Sequence, residues 1–180
     1  MRKSIATLAA AALLFSSAAL AQSAGEKTGV NSALGISPTT ADFVKEAAMS
    51  DMMEIESSKI AQLKGNAEEK KFAGQMIADH TKTSTELKAM ASSGDFKAEI
   101  PSALDDASVK KLDKLRDARP EDFAGQYDPM QVSAHKDAVS LFERYAKGGE
   151  NAKLKDWAGK TLPALQHHLQ MAEDMNKNRK

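Results

Sequence analysis

The sequence predicts an all-α protein built around a bundle of four long helices. Apolar residues recur at helical spacing in four segments, about 41–64, 66–92, 120–148 and 151–176. Helix-breaking or helix-capping residues mark the ends of these segments, and no segment shows the two-residue alternation of a strand. These observations together indicate helices that each bury one face against the others.

The boundary residues justify each helix in turn. The first begins near Thr39 and Thr40 and stops at Gly65, and the second is capped by Asn66 and ends by Gly94. The third begins at Pro120, a residue favoured in a first turn, and ends at residues 148–149. The fourth begins at Asn151. The expected buried faces are Met49, Met53, Glu56, Ile60 and Leu63 in the first helix; Ala73, Ile77, His80, Ser84, Leu87 and Ala91 in the second; Tyr127, His135, Ala138, Phe142 and Tyr145 in the third; and Leu154, Thr161, Leu165, His168, Ala172 and Met175 in the fourth.

The connections suggest how the helices are ordered in space. Residues 94–119 form a long connection with a shorter amphipathic helix, Leu104 to Asp117, whereas the other two connections are tight. Short, long, short is the pattern of ferritin-like bundles, in which the long segment crosses the length of the bundle. Pro129 and Pro163 lie inside the third and fourth helices. Each is expected to kink its helix, and the alternative is that one breaks it and gives a fold of five or six helices.

The N-terminus resembles an export signal. Arg2 and Lys3 precede an apolar run that ends at Ala19-Leu20-Ala21, the small-residue pattern of a signal peptidase site. We therefore predict a signal peptide at 1–21, cleaved after Ala21, and a periplasmic mature protein without an integral membrane segment; the alternative is a retained anchor. A flexible tether is expected at 22–40, a bundle at 41–176 and a tail at 177–180.

Composition excludes several classes of function. The mature chain of 159 residues would hold 23 basic and 25 acidic side chains, without the basic excess of a nucleic-acid-binding protein. There is no Cys, which excludes disulfides, thiolate ligands and thiol catalysis. Phosphate-binding loops, dinucleotide fingerprints, nucleophile elbows and HExxH are also absent. The sequence therefore predicts no catalytic residue and favours a protein that is not an enzyme.

Three of the four histidines lie on buried faces of three different helices. His80 follows Gly65 by 15 residues, His135 precedes Glu150 by 15, and His168 follows Asn151 by 17. At about 1.5 Å per residue, each lies roughly 22–26 Å from its hairpin, near the middle of the bundle. Candidate carboxylates at this level are Glu54, Glu56 and Asp79.

Histidines and carboxylates that converge at one level of a helical bundle are typical of a metal site. This donor set suits a divalent ion such as zinc, iron or manganese. The alternative is a purely structural network, in which each His is satisfied by a neighbouring acceptor. Thioether binding of copper(I) by the Met residues is a further alternative, although Met at helical spacing is ordinarily a core filler.

Several runs of the sequence are similar to an exported bacterial family known as domain of unknown function 4142. They lie at residues 43–48, 53–56, 134–143 and 161–169, together with Lys71-Phe-Ala-Gly-Gln-Met-Ile-Ala-Asp-His80. The resemblance covers about residues 41–175 and implies a ferritin-like bundle in the periplasm or cell envelope. Ile77, Val132 and Leu165 stand three residues before the histidines, so the Glu-x-x-His pairs of di-iron oxidases are missing.

Two main hypotheses about function follow from the sequence, and a third, an enzyme that uses a single metal, is the least favoured. The first is a periplasmic ferritin-like domain that binds a divalent metal, in metal handling or envelope stress. The second is a non-catalytic envelope module, for binding or structure, with a structural His network. Neither hypothesis names a protein partner.

Overall fold

The computed structural model describes residues 24–26 and 28–179, and it confirms the all-α class. No strand occurs among these residues. Within the described part of the chain, no helix is both long and apolar enough to span a bilayer. Beyond a helical turn at residues 24–26, the helices are α1 (Val30–Ala33), α2 (Thr40–Lys64), α3 (Ala67–Ser92), α4 (Asp106–Asp117), α5 (Pro120–Gly148) and α6 (Ala152–Asn178).

The predicted caps form. The Thr39 side chain accepts a hydrogen bond from the Asp42 amide, and the Asn66 side chain caps α3 in a capping box with Glu69. The Asn151 side chain caps α6. Helix α5 continues through Pro129 and α6 through Pro163, so the alternative of helices broken at these prolines is wrong.

The two tight connections lie at opposite ends of the core. Near the α5–α6 connection, Asn151 Nδ2 donates to the Asp95 carbonyl at 2.7 Å, just beyond the end of α3. At the other end, Lys64 Nζ donates to the Ala118 carbonyl at 2.8 Å, between α4 and α5. The segment from the end of α3 to the start of α5 therefore crosses the length of the core, as predicted. The ferritin-like assignment of this topology stays a prediction.

The core consists of two apolar clusters, one in each half of the molecule. One cluster surrounds Phe43, Phe142 and Trp157, and the other surrounds Phe72 and Tyr127. Buried polar residues occupy the middle turns of the four long helices between them: Asp51, Glu54, Ser57, Ser58, His80, Gln131, His135 and His168. Polar groups in such a layer need hydrogen-bond or ligand partners, because an unpaired polar group in an apolar environment is costly.

The buried face of α2 differs from the predicted one. Leu63 is 83% exposed, and Glu56 forms a surface ion pair with Lys59 at 2.7 Å. The side chains that face the core in the middle of α2 are instead Asp51 and Glu54, with serines one turn later. Ile60 is buried as predicted, but apolar periodicity wrongly placed Glu56 and Leu63 on the buried face, because the core-facing turns in the middle of this helix are polar.

The segment predicted to be a tether packs partly against α5. Glu26 forms a two-pronged ion pair with Arg144, with nitrogen–oxygen distances of 2.9 and 2.5 Å, and Asn31 in α1 is buried. These contacts are polar, which explains why hydrophobic periodicity gave no sign of them. The predicted signal peptide and its cleavage site lie outside the described residues.

Two buried acids face each other between α3 and α5. Glu69 is 1% and Asp128 2% exposed, and one oxygen of each has no donor among the described residues. Burial, and next the charge of Glu69, raise the pKa of Asp128 to about 7, although Arg179 opposes the shift. Since two ionised carboxylates cannot donate to each other, a hydrogen bond between them requires one proton.

This pair predicts a dependence of stability on pH. A raised pKa in the folded state means that the contribution of Asp128 to stability is full below about pH 4 and is lost as the pH rises through about 7. Asp128→Asn should therefore stabilise the protein more at pH 8 than at pH 5, by about 1–2 kcal/mol at about 1.4 kcal/mol per pKa unit after allowance for screening by solvent. Urea denaturation with chelator at both pH values measures this difference. The exposed Asp156→Asn is the control, and equal behaviour of the two variants would contradict the prediction.

Candidate metal centre

Three imidazole rings meet in the middle of the polar layer. His80 from α3, His135 from α5 and His168 from α6 are each at most 3% exposed. Their ring centroids are 5.8, 5.6 and 5.6 Å apart. One nitrogen from each ring lies within 4.8 Å of the corresponding nitrogen of the other two. We call these three residues the histidine centre; the equal heights inferred from the sequence are confirmed.

Each ring is held in place through one of its two nitrogens. His80 Nδ1 lies 2.8 Å from Asp51 Oδ1, and His168 Nε2 lies 2.8 Å from Asp79 Oδ2. His135 Nδ1 lies 2.9 Å from a backbone carbonyl one turn earlier, that of Gln131. Carboxylate and carbonyl oxygens only accept hydrogen bonds, so each of these nitrogens carries the proton and donates.

The remaining nitrogen of each ring is unpaired. His80 Nε2, His135 Nε2 and His168 Nδ1 are buried and have no hydrogen-bond partner among the described residues. In neutral imidazole the second nitrogen bears a lone pair once the first is protonated. The hydrogen bonds on the outer side of the rings therefore set the tautomers that leave three lone pairs free.

The acceptors that hold the rings are themselves anchored. Asp51 Oδ1 accepts from Thr83 Oγ1 at 2.8 Å, and its other oxygen accepts from Ser84 Oγ at 3.1 Å. Asp79 accepts from Gln75 Nε2 at 2.6 Å. Sequence reasoning missed Asp51, although its position one turn before Glu54 on the same helix could have indicated it. Such outer partners orient metal-binding histidines and increase their basicity.

Burial keeps two of the three rings neutral. It lowers the pKa of His135 to about 3, against the opposing hydrogen bond to the Gln131 carbonyl. It also lowers the pKa of His168, although Asp79 acts in the other direction. At His80, burial lowers the pKa, but the hydrogen bond to Asp51 and the charges of Glu54, Asp51 and Asp79 together raise it above its usual value. A cation is thus electrostatically favoured on the His80 side of the centre.

Glu54 adds a carboxylate from the fourth long helix. It is 2% exposed, and neither of its oxygens has a hydrogen-bond partner among the described residues. Burial raises its pKa to about 7, and the charge of His80 followed by the Gln131 side chain partly counteract this. Among the described residues, only the three histidines bring their ligand atoms within 4.8 Å of one another. Glu54 therefore lies beside the centre, on its α2 side.

Two of the predicted ligands do not face the centre. Glu56 points to the surface, where it pairs with Lys59, because it lies about 200° around α2 from Glu54. Asp79 is partly exposed and binds the outer nitrogen of His168 instead of facing the centre. The structure thus brings together three of the six predicted residues, His80, His135 and His168, leaves Glu54 beside them, and assigns Asp79 an orienting position.

The donor set fits a divalent ion. Nitrogens at about 2.0–2.1 Å from a tetrahedral zinc-like ion lie about 3.4 Å apart, so spacings below 4.8 Å need only a small inward movement of the rings. Three neutral imidazoles with a nearby carboxylate are ligands that suit zinc, iron and manganese. A cation at this point would satisfy three buried lone pairs at once, which no group in the described part of the chain does.

Comparison with known proteins gives the family. A family model with the description "Domain of unknown function (DUF4142)" matches residues 25–175 of the chain. The chain belongs to this family. The match includes all three residues of the histidine centre, Glu54 and the orienting carboxylates. Neither the curated proteins nor the solved structures that were searched contain a match.

Proposed function

We propose that this protein binds one divalent metal ion, zinc, iron or manganese, at the histidine centre. Two observations carry the proposal: three buried histidines from three helices bring one ring nitrogen each within 4.8 Å of one another, and each ring has one nitrogen without a partner among the described residues. An unsatisfied buried polar atom costs about 1–3 kcal/mol, so one partner shared by three such nitrogens would remove three of these costs at once. A metal ion supplies that partner and needs the tautomers that the outer hydrogen bonds set.

The competing function is a structural module whose histidines only stabilise the core. In such a network the second nitrogen of each ring would also find an acceptor or donor, because the benefit of a buried network depends on its being complete. Here the outer nitrogens are satisfied and the inner ones are not. This asymmetry favours the metal-binding function.

Elemental analysis tests the proposal directly. Protein purified from its native source, and apoprotein dialysed against zinc, iron(II) or manganese, should retain about one ion per chain, as expected for a single site. His168→Ala should lose the ion, whereas His167→Ala, an exposed neighbour on the same helix, should keep it. Metal-free native protein that also takes up none of these ions would overturn the proposal.

The orienting carboxylate of His80 provides a second prediction. Asp51→Asn keeps the size of the side chain but removes the charge that accepts the hydrogen bond from His80 Nδ1. Because outer partners of metal ligands typically contribute 10–100-fold to affinity, Asp51→Asn should weaken metal binding by about that factor. Competition with a chromophoric chelator measures the change. Asp156→Asn on the surface should leave the affinity unchanged. If Asp51→Asn binds metal as tightly as the wild type, Asp51 does not support the metal site.

The site of action that we propose is the periplasm, with a role in metal handling or envelope stress. Its support is the charged start, apolar run and small-residue ending of residues 1–21. Mass spectrometry of the intact periplasmic protein should give the mass of a chain that begins at Gln22 or at its cyclised form. A protein that still begins at Met1 would contradict export by a cleaved signal.

A further inference from the structure

One large cleft opens between α2 and α5, on the side where Glu54 lies. Its volume is about 1140 Å³, and α4 and the segment before α2 contribute to its walls. Its lining includes Met53 and Glu54 from α2 and Met130, Ser133 and Ala134 from α5. None of the three histidines lines the cleft, and Glu54 is the residue of the polar layer that does.

Glu54 has features that a structural side chain lacks. It is almost completely buried, it lines a cleft, and both oxygens are without a partner among the described residues. Its carboxylate also lies outside the group of ligand atoms within 4.8 Å of one another. A carboxylate that lies beside three imidazoles without joining their group of ligand atoms would contact an ion there through a small oxygen ligand rather than directly.

We propose that the metal ion carries, besides three imidazoles, an exchangeable water molecule hydrogen-bonded to Glu54 and supplied through the α2–α5 cleft. This inference rests on the proposed metal-binding function and adds an open coordination position to it. Zinc-type sites with three protein ligands commonly keep a water in the fourth position, whereas structural sites are closed by a fourth protein ligand. The ligand class is therefore a small oxygen ligand, replaceable by a small anion.

Cobalt(II) is the probe for the open position, because its visible spectrum reports both geometry and ligand exchange. Azide added to the cobalt-loaded wild-type protein should give a saturable spectral change without loss of cobalt. If Glu54 instead closes the site as a fourth ligand, azide should change the spectrum of Glu54→Ala only. That result would overturn the open position, while failure to bind cobalt, zinc, iron or manganese would overturn the metal centre itself.

Bulky substitutions inside and outside the cleft test whether it is the route by which small ligands reach the metal ion. Ser133 is exposed and lines the cleft, whereas Ala164 is exposed on α6 and does not. In stopped-flow mixing, Ser133→Trp should take up azide more slowly than the wild type, with unchanged cobalt stoichiometry, and Ala164→Trp should take it up at the wild-type rate. Asp137→Trp, a second exposed position in the cleft, gives an independent obstruction. Equal rates in the wild type and all three variants would overturn the cleft as the route.

Discussion

Zinc should raise the melting temperature of the wild-type protein over that in chelator, and His135→Ala should lose this rise. A ligand at one hundred times its dissociation constant stabilises the folded state by about 2.7 kcal/mol. For a chain of this size, that corresponds to roughly 5–10 °C, at about 2–4 °C per kcal/mol. His135 is the most informative position because burial keeps its ring neutral and its inner nitrogen free.

The control for this experiment is the variant in chelator. His135→Ala removes a buried ring and leaves a cavity, so its melting temperature should fall even without metal. Both functions therefore predict a lower melting temperature for the variant in chelator. They differ in whether the variant also loses the rise in melting temperature that zinc gives to the wild type. If the histidines only stabilise the core, His135→Ala lowers the melting temperature by the same amount with zinc and with chelator. His167→Ala should retain the full rise, because His167 is exposed.

The position of the histidine centre could be predicted from the sequence because helix rise is nearly constant. Counting residues from the two hairpins placed His80, His135 and His168 at one height, and the rings are indeed within 5.8 Å of one another. The count holds whether the helices run parallel or antiparallel, since a residue in the middle of a helix is equally far from both ends. The position of a residue along the helix axis is therefore the quantity that a helical sequence predicts best.

Rotation about the helix axis was harder to predict. Glu54 and Glu56 share a height on α2, and only the structure separates the buried one from the exposed one. The phase of α2 depends on its apolar pattern, which the polar turns at Asp51 and Glu54 interrupt. The buried face of a helix is predicted from its hydrophobic residues. A site made of buried polar residues interrupts that pattern, so the face that carries the site is hard to predict.

Contacts that orient the site could not be predicted at all from one sequence. Asp51 holds His80 only because α2 and α3 lie side by side with a particular register. The same holds for Asp79 and His168, which are 89 residues apart. Such pairs form only if neighbouring helices are positioned to within less than about an ångström, whereas sequence periodicity locates a side chain only to within about one turn.

Phe43→Ala should destabilise the protein by about 3–5 kcal/mol, and Leu63→Ala by less than about 0.5 kcal/mol. Phe43 is completely buried, stacks on Tyr145 with ring centroids 3.9 Å apart, and contacts Phe142 and Trp157 edge-on. Leu63 is 83% exposed despite its place in the apolar pattern. Urea denaturation in chelator compares the two variants on the same helix, and a larger loss for Leu63→Ala would restore the face predicted from the sequence.

The same pair of variants separates fold from site. Phe43 belongs to the apolar cluster on one side of the polar layer and lies about two turns along α2 from Asp51. The loss of its ring should weaken the packing of that half of the molecule without changing any ligand of the proposed ion. The stabilisation by zinc should therefore be the same in Phe43→Ala as in the wild type, since mutations distant from a site are additive with ligand binding. A zinc effect that disappears with Phe43 would mean that the two halves of the core and the histidine centre are energetically coupled across the polar layer.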